Sequence, residues 1–314
     1  MPLIVTGTIG IDTVHAPTGE AKEVLGGSAS YFAAAASFLT PEKVRLVAAA
    51  GDDLPAGHHS ALKSFPNLCL DGLEIRKGSK TFRWGGKYHE NMNHRDTLFT
   101  ELGVLEEAPP GVPGAYADSK YVFLANTHPA VQLGLLEQFP GRELAVCDTM
   151  DLWINTARDE LIELLGKVDG VVLNDQEAAQ LTEESNALTA GRKILEMGPT
   201  FAVIKKGEHG ALLVHRDGVG ALPAYPTETV VDPTGAGDSF AGGLMGHVAH
   251  IHATRGGNGG PPAAAFETVR HGLALGTVLA SFTIESFSLD RLRTLTRAEI
   301  DTRCGAFRKI VNID

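Results

Sequence analysis

Cysteine is scarce and scattered: Cys69, Cys147 and Cys304 are the three among 314 residues. An odd count, at spacings too wide for a zinc or redox motif, argues against a disulfide framework and for a reducing, cytoplasmic compartment. Long hydrophobic runs are missing as well. No 18-residue apolar stretch and no charged leader with an apolar segment behind it occurs, so neither a membrane span nor a secretory signal is expected. Positive charge is in deficit, with 27 Lys and Arg against 38 Asp and Glu and a formal net charge of −11. That balance disfavours nucleic acid or an anionic membrane as the main partner. It also means that an anionic ligand must be held by local donors. The chain lacks a Gly-x-x-x-x-Gly-Lys-Ser/Thr loop and a Gly-x-Gly-x-x-Gly turn, which removes the main support for P-loop chemistry and for hydride transfer on a nicotinamide. Metal-ligand spacing is absent too: His89 and His94 lie five apart rather than four, and His247, His250 and His252 fall at a helix end beside a glycine-rich stretch.

What remains is the composition of an ordinary globular protein, 43% hydrophobic and 21% charged. Short apolar runs alternate with helical patterns. Strands are expected at Leu3–Thr8, Val44–Ala49, Tyr121–Ala125, Leu144–Cys147, Val171–Leu173 and Phe201–Ile204. Helices are expected at Ser28–Leu39, Ala130–Phe139, Arg158–Gly166, Gln176–Thr182 and Leu188–Met197. Such alternation marks βαβ units on a mostly parallel sheet. Ala211–His215 and Gly220–Ala224 flank Arg216-Asp217-Gly218 as an antiparallel hairpin. Several strands end on polar residues, Asn126, Asp148, Asn174 and Lys205, which points to one functional edge.

Two segments break the pattern. Residues 11–25 and 73–102 have no helical period and read as β structure. Within the second, Thr81–Trp84 is expected to turn at Gly85-Gly86 and return through Lys87–Glu90. His252–Pro262, with its glycine pairs, reads as a flexible connector.

The most informative segment is Asp232-Pro233-Thr234-Gly235-Ala236-Gly237-Asp238-Ser239-Phe240. Phe240, Leu244 and Val248 recur at the spacing of a buried helical face, so the glycines sit where a helix begins. A turn without bulky side chains can aim N–H groups at an anion, helped by the free donors and dipole of the helix. Asp238 would repel that anion unless it takes a proton from an attacking hydroxyl. From the residues alone, an acidic N-cap and a catalytic base explain Asp238 equally well.

Continued through Ala241-Gly242-Gly243-Leu244-Met245, this segment resembles the signature of the ribokinase-like (PfkB) family of carbohydrate and nucleoside kinases. The resemblance implies a single ribokinase-like domain over 1–314, a three-layer α/β sandwich with a central sheet and a small β lid from the two inserts. It implies an anion hole at Gly235, Ala236 and Gly237, with Asp238 as general base. Gly26-Gly27-Ser28 resembles the family's substrate-binding glycine pair and Asp12 its early aspartate, with Tyr31 standing where many members have Asn. Asn93 in the lid and Asn126 at a strand end join the expected acceptor site. Asn174-Asp175-Gln176-Glu177 is similar to the family's Asn-x-x-Glu, implying a nucleotide contact at Asn174 and Mg²⁺ organised through water by Glu177. On the residues alone, that quartet reads as a helix cap with an acidic first turn. Lys205, Gly207 and Gly210 resemble the family's nucleotide turn, and Asp232 occupies the place of a monovalent-cation ligand such as K⁺. The implied activity is transfer of phosphate from ATP to a hydroxyl of a sugar or sugar derivative. A nucleoside acceptor comes second, because Trp84 and Tyr88 in the lid could stack on a base, and a silent small-molecule sensor third. A homodimer through the lid is a further implication.

Overall fold

The structure is a computed structural model that describes residues 2–255 and 262–312. Among the described residues the strands in chain order are β1 Leu3–Thr6, β2 Gly10–Ala16, β3 Gly19–Gly26, β4 Val44–Gly51, β5 Leu68–Arg76, β6 Phe82–Tyr88 and β7 Arg95–Glu101. They continue with β8 Tyr121–Leu124, β9 Leu144–Asp148, β10 Gly170–Asn174, β11 Phe201–Lys205, β12 Ala211–His215 and β13 Gly218–Leu222. Nine of them form one sheet in the order β13-β12-β11-β10-β9-β8-β1-β4-β5. The seven from β11 to β5 are parallel, and β12 and β13 add an antiparallel edge.

The parallel strands are near-continuous apolar runs because both faces of the sheet are covered. Successive residues alternate between two cores, as a period of two requires. Leu3, Val5 and Val146 join Phe32, Leu244 and Leu273 on one face. Ile4, Ala145 and Cys147 join Leu136, Leu161, Leu181 and Ile194 on the other. The first face is covered by the helices Ser28–Ser37, Ala236–Arg255 and Phe266–Thr283. The second carries Pro129–Leu136, Arg158–Leu165, Asp175–Thr182 and Ala187–Glu196. This is a three-layer α/β sandwich, as the sequence implies. Among the described residues no helix is long and apolar enough to cross a membrane.

The chain builds outward from β1 through β4 to β5, then returns to place β8 on the other side of β1. Connections leaving neighbouring strands in opposite directions open a crevice at their carboxyl ends, the usual ligand position in open α/β sheets. Over it stands a second sheet in the order β3-β2-β6-β7, the lid expected from the two inserts.

Three expectations need correction. Residues 68–76 belong to the main sheet as its edge strand, paired with β4, so the second lid segment starts later than 73. Gly85 and Gly86 do not turn. Strand β6 continues through them, with a shift in its pairing to β7 between the two, and the reversal falls at His89–His94, where the His89 N–H bonds the His94 carbonyl at 2.9 Å. The glycines leave room for aromatic rings: a Cβ on Gly85 would sit 2.2 Å from the Phe99 ring, and one on Gly86 would sit 2.1 Å from Trp84. The connector expected at His252–Pro262 lies mostly outside the described residues, and His252 to Arg255 continue the helix that starts at Ala236.

Candidate active site

The helix Ala236–Arg255 begins directly under the crevice, and the turn in front of it follows from its residue types. Gly235 has φ of 74°, and a Cβ there would lie 2.3 Å from the Tyr31 ring. Only glycine fits both the left-handed backbone and the aromatic floor. The Ala236 N–H closes the turn on the Pro233 carbonyl at 3.2 Å, so Ala236 is not a free donor. The N–H groups of Gly235, Gly237 and Asp238 have no hydrogen-bond partner among the described residues, as expected for the first amides of a helix. A Cβ on Gly237 would stand 2.7 Å from Lys205 Nζ. The ammonium at the end of β11 therefore presses against the same turn, adding full positive charge to the helix N-terminus.

Above the turn is a cavity of about 180 Å³ whose lining combines the polar residues Asp12, Ser28, Asn126 and Asp238 with the apolar and aromatic residues Phe82, Trp84, Leu102, Leu105 and Trp153. Asp238 is partly buried at its floor. Burial lifts its carboxyl to about 6, the Glu177 charge adds to the rise, and Lys205, Arg95 and a hydrogen bond with Asp148 oppose it. Asp12 is 4% exposed. Burial, followed by the charges of Asp232 and Asp238, raises it to about 8. Asp148 at the end of β9 is buried behind Asp238, and desolvation with the Asp238 charge pushes it well above the carboxylate range. Carboxyls crowded in this way share protons instead of all ionising.

The polar wall is interlocked. The Ser28 and Thr8 hydroxyls lie 3.1 Å apart, and the Ser28 N–H donates to Thr8 Oγ1 at 3.0 Å. Trp153 Nε1 donates to Asn126 Oδ1 at 3.0 Å, which holds an aromatic ring of the lining beside a polar group. Gly26 accommodates the Asp12 carboxyl, whose Oδ2 would be 2.0 Å from a Cβ. Gly27 has φ of 92° and makes the bend into the helix Ser28–Ser37.

Asn174 and Glu177 form a reciprocal capping box: the Asn174 N–H donates to Glu177 at 2.7 Å and the Glu177 N–H to Asn174 Oδ1 at 2.8 Å. The local reading of the quartet thus holds in the fold. The other Glu177 oxygen has no protein hydrogen bond among the described residues, and burial raises the carboxyl. A half-buried acid with one unengaged oxygen suits a hydrated Mg²⁺, which keeps most of its water. Asp232 is fully buried; its Oδ1 accepts from the Thr234 N–H at 2.8 Å, while Oδ2 has no hydrogen-bond partner among the described residues. An orphaned buried carboxylate oxygen fits a monovalent cation. Gly207 and Gly210 bracket the turn after β11, closed by the Lys206 N–H on the Gly210 carbonyl at 2.8 Å.

Asn93, expected in the acceptor site, does not line the cavity. It is exposed at the lid tip and donates to Glu208 at 3.1 Å. In its place the lid contributes Arg95, which the sequence marks only as one of many polar lid residues. Its chain remains open to solvent, yet its guanidinium is in the cleft, 5.4 Å from the Trp84 ring centre and within the fields of Glu177 and Asp151. Trp153 escapes sequence reasoning because it lies on a six-residue helix, Asp151–Thr156, too short to show a period. Asp148 is visible in the sequence only as a polar strand end.

With this geometry established, similarity to known proteins is informative. A family profile described as pfkB family carbohydrate kinase matches residues 143–293. A cytidine kinase of Thermococcus kodakarensis is 34% identical over 252 residues, which cover 78% of this chain and 87% of that protein. Among solved structures, the Methanocaldococcus jannaschii nucleoside kinase superposes with a TM-score of 0.75 at 19% identity, covering 97% of this chain and 98% of that one. The Salmonella enterica aminoimidazole riboside kinase, solved with aminoimidazole riboside and an ATP analogue, superposes at 0.73 with 17% identity over 97% and 100% of the two chains.

Proposed function

The chain belongs to the pfkB family of carbohydrate kinases, and on that premise we propose that it transfers a phosphoryl group from ATP to a hydroxyl of a nucleoside. The observation that carries the acceptor class is the mixed lining of the cavity. Asp12, Ser28 and Asn126 offer polar groups for hydroxyls, and Trp84, Phe82 and Trp153 offer aromatic surface for a base. A free sugar, the first expectation from the sequence, would leave the aromatic lining without a partner. The similarity to a cytidine kinase supports the same order.

In this reading Asp12, raised to about 8, carries a proton at neutral pH and donates it in a hydrogen bond to an acceptor oxygen. Asp238 accepts the proton of the attacking hydroxyl as the new oxygen–phosphorus bond forms and the bond to ADP breaks. The amides of Gly235 and Gly237, with Lys205 and Arg95, stabilise the charge on the phosphoryl oxygens. Asn174, Gly207 and Gly210 hold the nucleotide. Mg²⁺ organised by Glu177 would screen the ATP phosphates, and a K⁺-like ion at Asp232 would steady the turn from below.

The test is ATP-dependent turnover on cytidine, uridine, adenosine, ribose and fructose. Nucleosides are expected to react and the free sugars to react poorly; turnover confined to free sugars would overturn the acceptor class. Asp238→Asn is expected to fold, to bind nucleotide and to lose about 10²–10⁴ in kcat. Near-normal kcat in that variant refutes the role of the base.

A further inference from the structure

A second, smaller cavity of about 20 Å³ adjoins the acceptor site. Leu105 and Thr127 line both spaces, so the two share a boundary. Gly7 after β1, Ala49 on β4, and Val131 and Leu135 on the helix Pro129–Leu136 border it. Small residues make the space. A Cβ on Gly7 would stand 2.7 Å from the Ala125 Cβ and 3.0 Å from Ser28 Oγ, so glycine is required next to the polar lining of the acceptor site. Ala49, 4% exposed, contributes only a methyl group.

The lining decides what can sit there. A space of this size holds one water-sized or methyl-sized group, and a buried water wants two to four polar partners. Glu107 at the border is engaged elsewhere, accepting from Arg76 Nη1 at 3.3 Å. Among the lining side chains that leaves the Thr127 hydroxyl, with aliphatic groups around it. An apolar occupant fits better than water. The acceptor cavity points the same way, because Leu102 and Leu105 lie in its lining with the aromatic rings. A pyrimidine base has one edge without hydrogen-bonding atoms, C5–C6, and a leucine can cover that edge without stranding a polar group. Since Leu105 borders the small cavity as well, a substituent on C5 has space ahead of it.

We propose that the small cavity is a subsite for a methyl-sized group at C5 of a pyrimidine nucleoside. Leu105 and Thr127 form its entrance, and Ala49 and Val131 set its capacity. The enzyme then favours C5-methylated pyrimidine nucleosides over the unmethylated ones. The proposal rests on the nucleoside kinase reading above.

The experiment measures binding of cytidine, 5-methylcytidine, uridine and 5-methyluridine through the fluorescence of Trp84 and Trp153, the two tryptophans of the chain, both in the acceptor lining. Turnover of each nucleoside with ATP and Mg²⁺ is followed in parallel, so that failure of the kinase reading shows separately, as a binding preference without turnover. Wild type is expected to bind each methylated nucleoside about fourfold or more tightly than its parent, the worth of one buried methyl group. Ala49→Val and Val131→Ile put methyl groups of the protein into the same space, on a strand and a helix that tolerate them. Each should bring the ratio of the two affinities to about one or below. A general structural loss would instead weaken parent and methylated nucleoside alike and keep the wild-type ratio, which overturns the proposal. Equal or weaker binding of the methylated nucleosides by wild type overturns it as well.

Discussion

At the scale of single residues, function depends on how many carboxyls share one small volume. Asp238 is lifted to about 6 chiefly by burial, against the opposing pull of Lys205 and Arg95. A base must be deprotonated to act. In the free enzyme kcat/KM is therefore expected to be level at neutral pH and to fall tenfold per unit well below about pH 6. A pH–rate profile checks this, and a limb near the ordinary carboxylate range would show that burial does not control the group. Asp12 lies in the same cavity, where burial first, and then the charges of Asp232 and Asp238, lift it further, to about 8, against the pull of Arg95. In the proposed mechanism the same residue type thus serves as a hydrogen-bond donor and as a proton acceptor within one site.

At the scale of elements, the turn Pro233–Asp238 depends on Gly235 for its shape. Gly235→Ala would force a side chain into the left-handed region and against Tyr31. The expected result is a destabilisation of about 1–3 kcal/mol, seen as a lower Tm, with kcat reduced at least as strongly as by Asp238→Asn. Unchanged Tm and kcat would mean that the turn has room the geometry denies. This element is legible in the sequence because small residues before a carboxylate, with an apolar helical stripe behind them, mark a backbone that bends tightly into a buried helix. The Ala236 amide is not legible: which of three adjacent N–H groups closes a turn depends on backbone angles, not on residue type. The lid is harder to read. Gly85-Gly86 carries a turn signal that aromatic packing by Phe99 and Trp84 overrides, and the side-chain partners of Asn93 and Arg95 come from distant segments that no local pattern encodes.

At the scale of the whole molecule, the parallel sheet is largely readable, since buried strands are bare apolar runs bounded by polar ends. The edge strand β5 is not, because it is only half-buried and its run continues into the lid insert. The lid sheet presents β7 as an open edge, every residue exposed, with Leu98 at 51% and Phe99 at 39%. Such an edge invites pairing with a second copy, and the implied homodimer is expected there. Sedimentation should show a dimer that Leu98→Glu converts to monomer; a wild-type monomer at micromolar concentration would exclude it.

The placement of β1 has one more consequence. Leu3 pairs with Val44 on one side and with Tyr121 on the other. A ribosome must therefore release well over a hundred residues before this interior strand can acquire both neighbours, and until then one of its flanks is bare. Such distant pairing slows folding. Fragments that stop short of β8 should be insoluble, and the newborn chain should lean on chaperones.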